Sequence, residues 1–246
     1  MPTSERLPAA RVVLALARGE TKRILLHPVF LGAVAVCTLF VTRATGRSHS
    51  IGFLAGGVAI GVVAGGFLST NVATLRARRD RVLELFGSLP SPPESRTSAL
   101  LLGALFGPVM LSVMLTAAGR VLLASNTSLG PYLDLALAAQ VPLTMAALGS
   151  LAVALGRWIP SLVAAPVVLI AHVMTGIIWV LPWIVPTSTG IRVGWHLAYL
   201  VSLVVLWSAV ALVRDRRTLT RLVVAGLAVA FAVVAASIQV PPGGLR

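Results

Sequence analysis

Residues 75–97 read L-R-A-R-R-D-R-V-L-E-L-F-G-S-L-P-S-P-P-E-S-R-T, with a long apolar run on either side. This island holds eight of the chain's 27 charged residues and three of its seven acids. Soluble domains carry about 25% charged residues. This chain of 246 residues carries 11%, is 57% hydrophobic and has a mean hydropathy of +0.95. The bilayer is therefore its main solvent, and the island is a segment held out in water. A charged loop of this length on a membrane protein is the expected docking place for a soluble partner.

The net charge of +13 does not point to nucleic acid. The basic residues sit in short clusters between apolar runs, without interleaved aromatics, which is the positive-inside pattern. Cys37 is the one cysteine, so no disulfide can form within the chain. The first residues are polar and lead into an amphipathic stretch, so no cleavable signal peptide is expected. Arginine outnumbers lysine 19 to 1, which suggests a GC-rich bacterial genome and thus a bacterial cell membrane.

A spanning helix needs about 20 mostly apolar residues. Seven segments qualify: 28–43, 51–73, 98–123, 134–156, 161–183, 194–213 and 222–240. The expected fold is all-α and polytopic, one transmembrane domain over 1–246. With the N-terminus in the cytoplasm, fifteen basic residues fall inside and five (Arg43, Arg47, Arg120, Arg192 and Arg246) outside. Trp179, Trp183 and Trp195 then gather near the outer interface as an aromatic belt.

Before the first span, residues 5–26 predict a basic amphipathic helix on the inner leaflet. At 100° per residue Arg11, Arg18 and Lys22 share one side, with Val13, Leu16, Ala17 and Ile24 roughly opposite. In the second span Gly52/Gly56, Gly57/Gly61 and Gly61/Gly65 are four apart, a spacing that lets helix backbones approach closely. Gly103 and Gly107 repeat it in the third span, so those two helices are candidates to meet.

Within the island, 74–89 reads as a helix with Leu75, Val82, Phe86 and Leu89 on one stripe and Leu85 beside it. Asp80 and Glu84 lie on the opposite side. The helix breaks at Leu89-Pro90, because proline disfavours helix in the residue before it. Ser91-Pro92-Pro93-Glu94 then predicts a capping box: Ser91 at the cap, Pro92 at the first helical position, Glu94 three residues after the serine. Helix, corner and capped helix make a stiff elbow.

The run 75–105 resembles the cytoplasmic loop of ABC transporter permease subunits of the type-2 exporter class, especially the actinobacterial kind. L-G-S-L-A-V-A-L-G-R-W-I-P at 148–160 resembles the end of the fourth span in that group, and the N-terminal amphipathic helix its connecting helix. The resemblance implies that residues 74–97 form a coupling loop seated in a groove of a separate ATPase subunit. Glu84, Leu85, Phe86, Leu89 and Pro90 would form the docking knob, flanked by Arg79 and Arg81. ATP and Mg would bind on that partner, with no cofactor, metal or catalytic residue on this chain. A second copy of this chain or a related permease would complete the pathway. Members of the group typically have six spans with both ends inside, whereas this chain reads as seven. The departure lies in the last span and in the outer segment 183–194.

Other features narrow the choice. The chain lacks a G-x-x-x-x-G-K-[ST] phosphate loop, so ATP hydrolysis by that route requires a partner. HExxH, CxxC and paired-carboxylate constellations are absent from the sequence. Asp134 reads as the only acid near a span, which offers little to a proton- or sodium-coupled carrier. Lys22 lies outside the spans, so a retinal-type protein is excluded. Asn71, Gln140, Thr144 and His172 are the candidate substrate path, since polar groups within the membrane are functional candidates. Gln140 and Thr144 would equally serve as an interhelical hydrogen bond, and His172 as a packing residue. Pro142, Pro160, Pro166 and Pro182 are candidate kinks. A hydrophobic or amphipathic cargo suits the apolar spans. The alternative to an exporter is a scaffold or accessory subunit that recruits a soluble partner and transports nothing. The seven-span reading puts the last residues outside. Gly243→Cys in a Cys37→Ser background is therefore expected to react with an impermeant thiol reagent on intact cells. Labelling only after permeabilisation would refute that topology.

Overall fold

In a computed structural model the described residues are 9–44, 59–79, 92–123, 131–174 and 192–239. They form eight α-helices and no strand. These are α1 (Ala9–Leu25), α2 (Pro28–Ala44), α3 (Ala64–Arg79), α4 (Pro93–Leu123), α5 (Pro131–Trp158), α6 (Ala164–Met174), α7 (Val193–Val213) and α8 (Leu219–Gln239). A π-helical turn, Ala59–Val63, leads into α3. Four helices hold stretches long and apolar enough to cross a membrane: Pro93–Met114, Ala139–Trp158, Val193–Val213 and Leu219–Gln239. The pair α1–α2, bent by 56° at the break between Leu25 and Pro28, makes a fifth if it counts as one span. Of the expected second and fifth spans, parts lie outside the described residues. The molecule is thus an all-helical, membrane-embedded protein.

α5 is the centre. It packs on α3, α4, α6 and α7, and 72% of its apolar stretch is buried, against 22% for α8. Small side chains make this possible: Ala146, Ala147, Gly149, Ser150, Ala152, Ala154 and Gly156 are all buried. Lipid tails are as apolar as leucine, so helices associate by close contact rather than by escape from solvent. Gly149 lies against Ala104 of α4. Ala147 joins Tyr199 and Leu203 of α7, with Ala232 and Ala235 of α8 behind them. Phe30, Phe67, Val141 and Met145 fill the layer between α2, α3 and α5.

The glycine spacing is used within the chain. Gly61 and Gly65 lie against Cys37 and Ala33 of α2. Among the described residues the atoms nearest Gly103 and Gly107 belong to α1, which they seat through Ala17, Glu20, Thr21 and Leu25. α1 is the longer-range partner because its own Ala17 and Ile24 are small or flat enough to lie buried there. Ile24 is enclosed by Leu101, Ala104, Val153, Ala154 and Ala211.

α3 is continuous to Arg79, so the first residues of the island prolong the membrane helix rather than begin a new one. α4 starts at Pro93, one residue later than the capping box predicts. Pro92 precedes a proline and is steered away from helical backbone, so the helix begins after it, with Glu94 in its first turn. Pro108 and Pro142 lie inside continuous helices, and Pro160 lies in the turn between α5 and α6. A β-carbon at Gly103 would sit 3.0 Å from Glu20 Cβ and 3.1 Å from the backbone nitrogen of Thr21. Gly103→Val is therefore expected to lower stability by about 1–3 kcal/mol through overpacking, read as an earlier thermal midpoint in detergent. Gly226→Ala, where nothing lies within 4 Å, should leave the midpoint level or raise it.

Candidate functional site

The helix ends that carry the basic clusters come together. Asp215, in the turn after α7, has a side chain only 2% exposed. Its Oδ1 accepts from Arg157 Nη2 at the end of α5, and its Oδ2 accepts from the Thr97 hydroxyl in the first turns of α4. A buried carboxylate must be both paired and hydrogen-bonded to be tolerated, and here each oxygen has a partner. One acid thus ties three helix ends. Trp158 Nε1 donates to the Val210 carbonyl at 3.0 Å, and the Arg214 guanidinium lies 5.6 Å from the Trp158 ring centroid. Arg221 Nη1 donates to the carbonyls of Leu212 (2.8 Å), at the end of α7, and Arg216 (3.0 Å), bracing the α7–α8 turn.

The opposite end of this hairpin has its own polar bond. His196 Nδ1 and Gln239 Oε1 are 2.9 Å apart, both residues fully buried. The Arg192 backbone N–H donates to the Gln239 carbonyl at 3.1 Å. Between these ends, Ala228, Ala232 and Ala235 are the buried positions of α8, and its larger apolar residues face outward.

Arg79 ends α3, and its side chain is outside the described residues, as are Arg81, Glu84, Leu85, Phe86, Leu89 and Pro90 entirely. The descending arm of the elbow is described, and Thr97 fastens it to α5 and α7. The four candidate path residues do not form one group. Asn71 is buried and its Nδ2 donates to the Ala152 carbonyl of α5 at 3.3 Å, beside Gly156. α3 and α5 run parallel, with Gly66 at the level of Met145. Asn71 therefore sits two turns, about 12 Å, from buried Thr144 and farther from buried Gln140. The Thr144 hydroxyl has no hydrogen-bond partner among the described residues. His172 is in α6, its side chain outside the described residues.

Sequence reasoning named Asp134 as the only acid near a span and passed over Asp215. The signal was present: Asp215 is a single acid within R-D-R-R at 214–217, where a basic turn alone needs none. His196 and Gln239 were also missed, each a polar residue near the end of an apolar run. Among the described residues no three His, Cys, Asp or Glu side chains gather where they could hold a metal ion. The fold and its basic end define a helical membrane protein with a charged loop tied into its core. No family model, curated protein or solved structure matches the chain.

Asp215→Ala would remove the buried carboxylate that Arg157, three-quarters buried, and Thr97 share, and is expected to cost about 3 kcal/mol. Arg157→Leu with Asp215→Leu should recover most of that loss. A double-mutant cycle on thermal unfolding in detergent reads the coupling; additive effects would show that the pair does not hold the ends together.

Proposed function

We propose that this chain is the membrane subunit of an ATP-driven exporter in a bacterial plasma membrane. A separate ATPase subunit docks on residues 74–97, with Glu84, Leu85, Phe86, Leu89 and Pro90 as its contact and Arg79 and Arg81 beside them. The N-terminus is cytoplasmic and the chain crosses seven times, with α1 packed along α4. Two copies, or this chain and a related one, form the pathway for a hydrophobic or amphipathic cargo. The sequence resemblance at 75–105 and 148–160 is one support.

The observation that carries the reading is the Thr97–Asp215–Arg157 network. A docking loop does mechanical work only if its arms are joined to the spans, because a slack loop dissipates displacement. Here one arm is the end of α3, which is bonded to α5 through Asn71. The other begins α4 and is bonded to α5 and to the α7–α8 turn through Asp215. A push on the loop therefore reaches α3, α4, α5 and α7 together, the kind of rigid-body movement that switches packed domains. The missing phosphate loop requires the force to come from another chain.

The test is co-purification with a phosphate-loop ATPase encoded by an adjacent reading frame, followed by Glu84→Arg with Phe86→Ala. Loss of ATPase association and of ATP-driven transport, with the membrane subunit still inserted, is expected. Association and transport that both survive would remove the docking assignment. Association without any ATP-driven transport in the unmodified complex would favour the non-transporting scaffold.

A further inference from the structure

Outside the basic end, a groove of about 610 Å³ opens between α1 and α4. Arg18, Thr21, Lys22 and Leu25 line one wall, Leu102 and Phe106 the other. Its volume is within the roughly 300–1,000 Å³ of small-molecule sites. Apart from the two cations its lining is almost wholly apolar, and it contains no carboxylate. The single acid of α1, Glu20, is bound instead to Arg23, Nη1 to Oε1 at 2.6 Å. Arg18 and Lys22 are four residues apart, so they stand about 5–6 Å from each other on one helix face. That is a spacing at which one phosphate group accepts from both.

The groove also has a direction. Ala17 and Thr21 lie against Gly103, and Thr21 and Leu25 against Gly107, so α1 and α4 advance together away from the basic end. Both cations are therefore nearer that end than Leu25, and Arg18 is nearer it than Phe106. Beyond Phe106 the outward row of α4 continues through Met110 and Val113, 60%, 52% and 42% exposed. Leu14 lines the groove before the cations and an open apolar track follows them; two cations beside such a track match an amphiphile, not a peptide, whose backbone would find few polar partners there. The Thr21 hydroxyl already faces the Gly103 carbonyl, 3.5 Å away.

We propose that this groove binds an anionic glycerophospholipid, its phosphate between Arg18 and Lys22 and one acyl chain running past Leu25 and Phe106 along α4. The site does not depend on the exporter reading. A structural lipid there would fill the gap between α1 and α4 that the small contact at Gly103 and Gly107 leaves beside it.

Native mass spectrometry of the full-length protein, with dioleoyl phosphatidylglycerol or dioleoyl phosphatidylcholine added, tests this. One phosphatidylglycerol per chain should persist at energies that strip phosphatidylcholine. This comparison needs no variant. At about 5-fold per basic residue near an anionic headgroup, Arg18→Gln with Lys22→Gln should weaken retention roughly 30-fold. Arg23→Gln, the cation already engaged by Glu20, should change it little. Phe106→Ala should weaken the dioleoyl lipid but not glycerol phosphate. Equal retention of both lipids would overturn the proposal, as would equal loss in the Arg23 variant. Displacement of phosphatidylglycerol by millimolar inorganic phosphate would overturn it too, by showing a phosphate site without a lipid track.

Discussion

No hydrophobic force draws one apolar helix onto another inside a bilayer, so the bundle depends on how closely its backbones can approach. α5 meets that constraint. Its buried face is mostly alanine, glycine and serine from Ala146 to Gly156, with Leu148, Val153 and Leu155 among them, and four other helices pack on it. Each helix brings a complementary small residue or a shaped one. α4 brings Ala104 to Gly149, and α3 brings Asn71 and Thr74 to Gly156. α7 brings Tyr199 and Leu203 to Ala147. Dispersion at each such contact is small, but it accumulates along a helix of 28 residues. The polar side chains of α3, from Ser69 to Thr74, are turned into this seam rather than toward lipid. Ser69 and Thr74 satisfy their hydroxyls on their own helix, and Asn71 reaches across to Ala152.

Close approach fixes distance but not register, because small-residue faces can slide along one another. The two ends of the α7–α8 hairpin supply register. Asp215 is nearly without solvent and accepts from partners on α5 and α4. Sliding α5 by one turn, 5.4 Å, would take Arg157 away from that buried carboxylate, a cost of several kcal/mol, and sliding α4 would take away the Thr97 hydroxyl. His196 with Gln239 acts in the same way at the other end. α8 touches little besides α7, and these two bonded ends with an alanine stripe between them hold it while the rest of its surface meets lipid.

Much of this was legible from residue types. Apolar runs located α2, α4, α5, α7 and α8 within a few residues, because a spanning helix must be uniformly apolar and so announces itself. The glycine spacing announced close contacts but not their partners. Gly103 looked suited to the second span and in fact receives α1, because G-x-x-x-G specifies a flat face and says nothing of what lies on it. The start of α4 was off by one, as Pro93 acts on Pro92 more strongly than Ser91 acts as a cap. Asp215 was hidden for a different reason. In a linear reading it is diluted by Arg214, Arg216 and Arg217; only the fold, 58 residues back to Arg157, shows which arginine it serves. The docking residues stood out by pattern, but their geometry falls on 80–91, outside the described residues.

These two kinds of contact also determine what can move. α3, α4, α5 and α7 are joined by side-chain bonds or by backbone-close packing, so a displacement entering at either arm of the island is shared among them. α1 follows α4, since Gly103 and Gly107 receive Glu20, Thr21 and Leu25 of α1 at close range. α2 follows α3 through Gly61 and Gly65. Between α1 and α2 the contact is slight, and the chain turns by 56° across Leu26 and His27. The Val29 N–H donates to His27 Nδ1 at 3.3 Å there, beside backbone bonds from Leu26 to Lys22, His27 to Ile24 and Leu31 to His27. α1 and α2 are therefore held to the bundle separately, α1 through α4 and α2 through α3, rather than through each other.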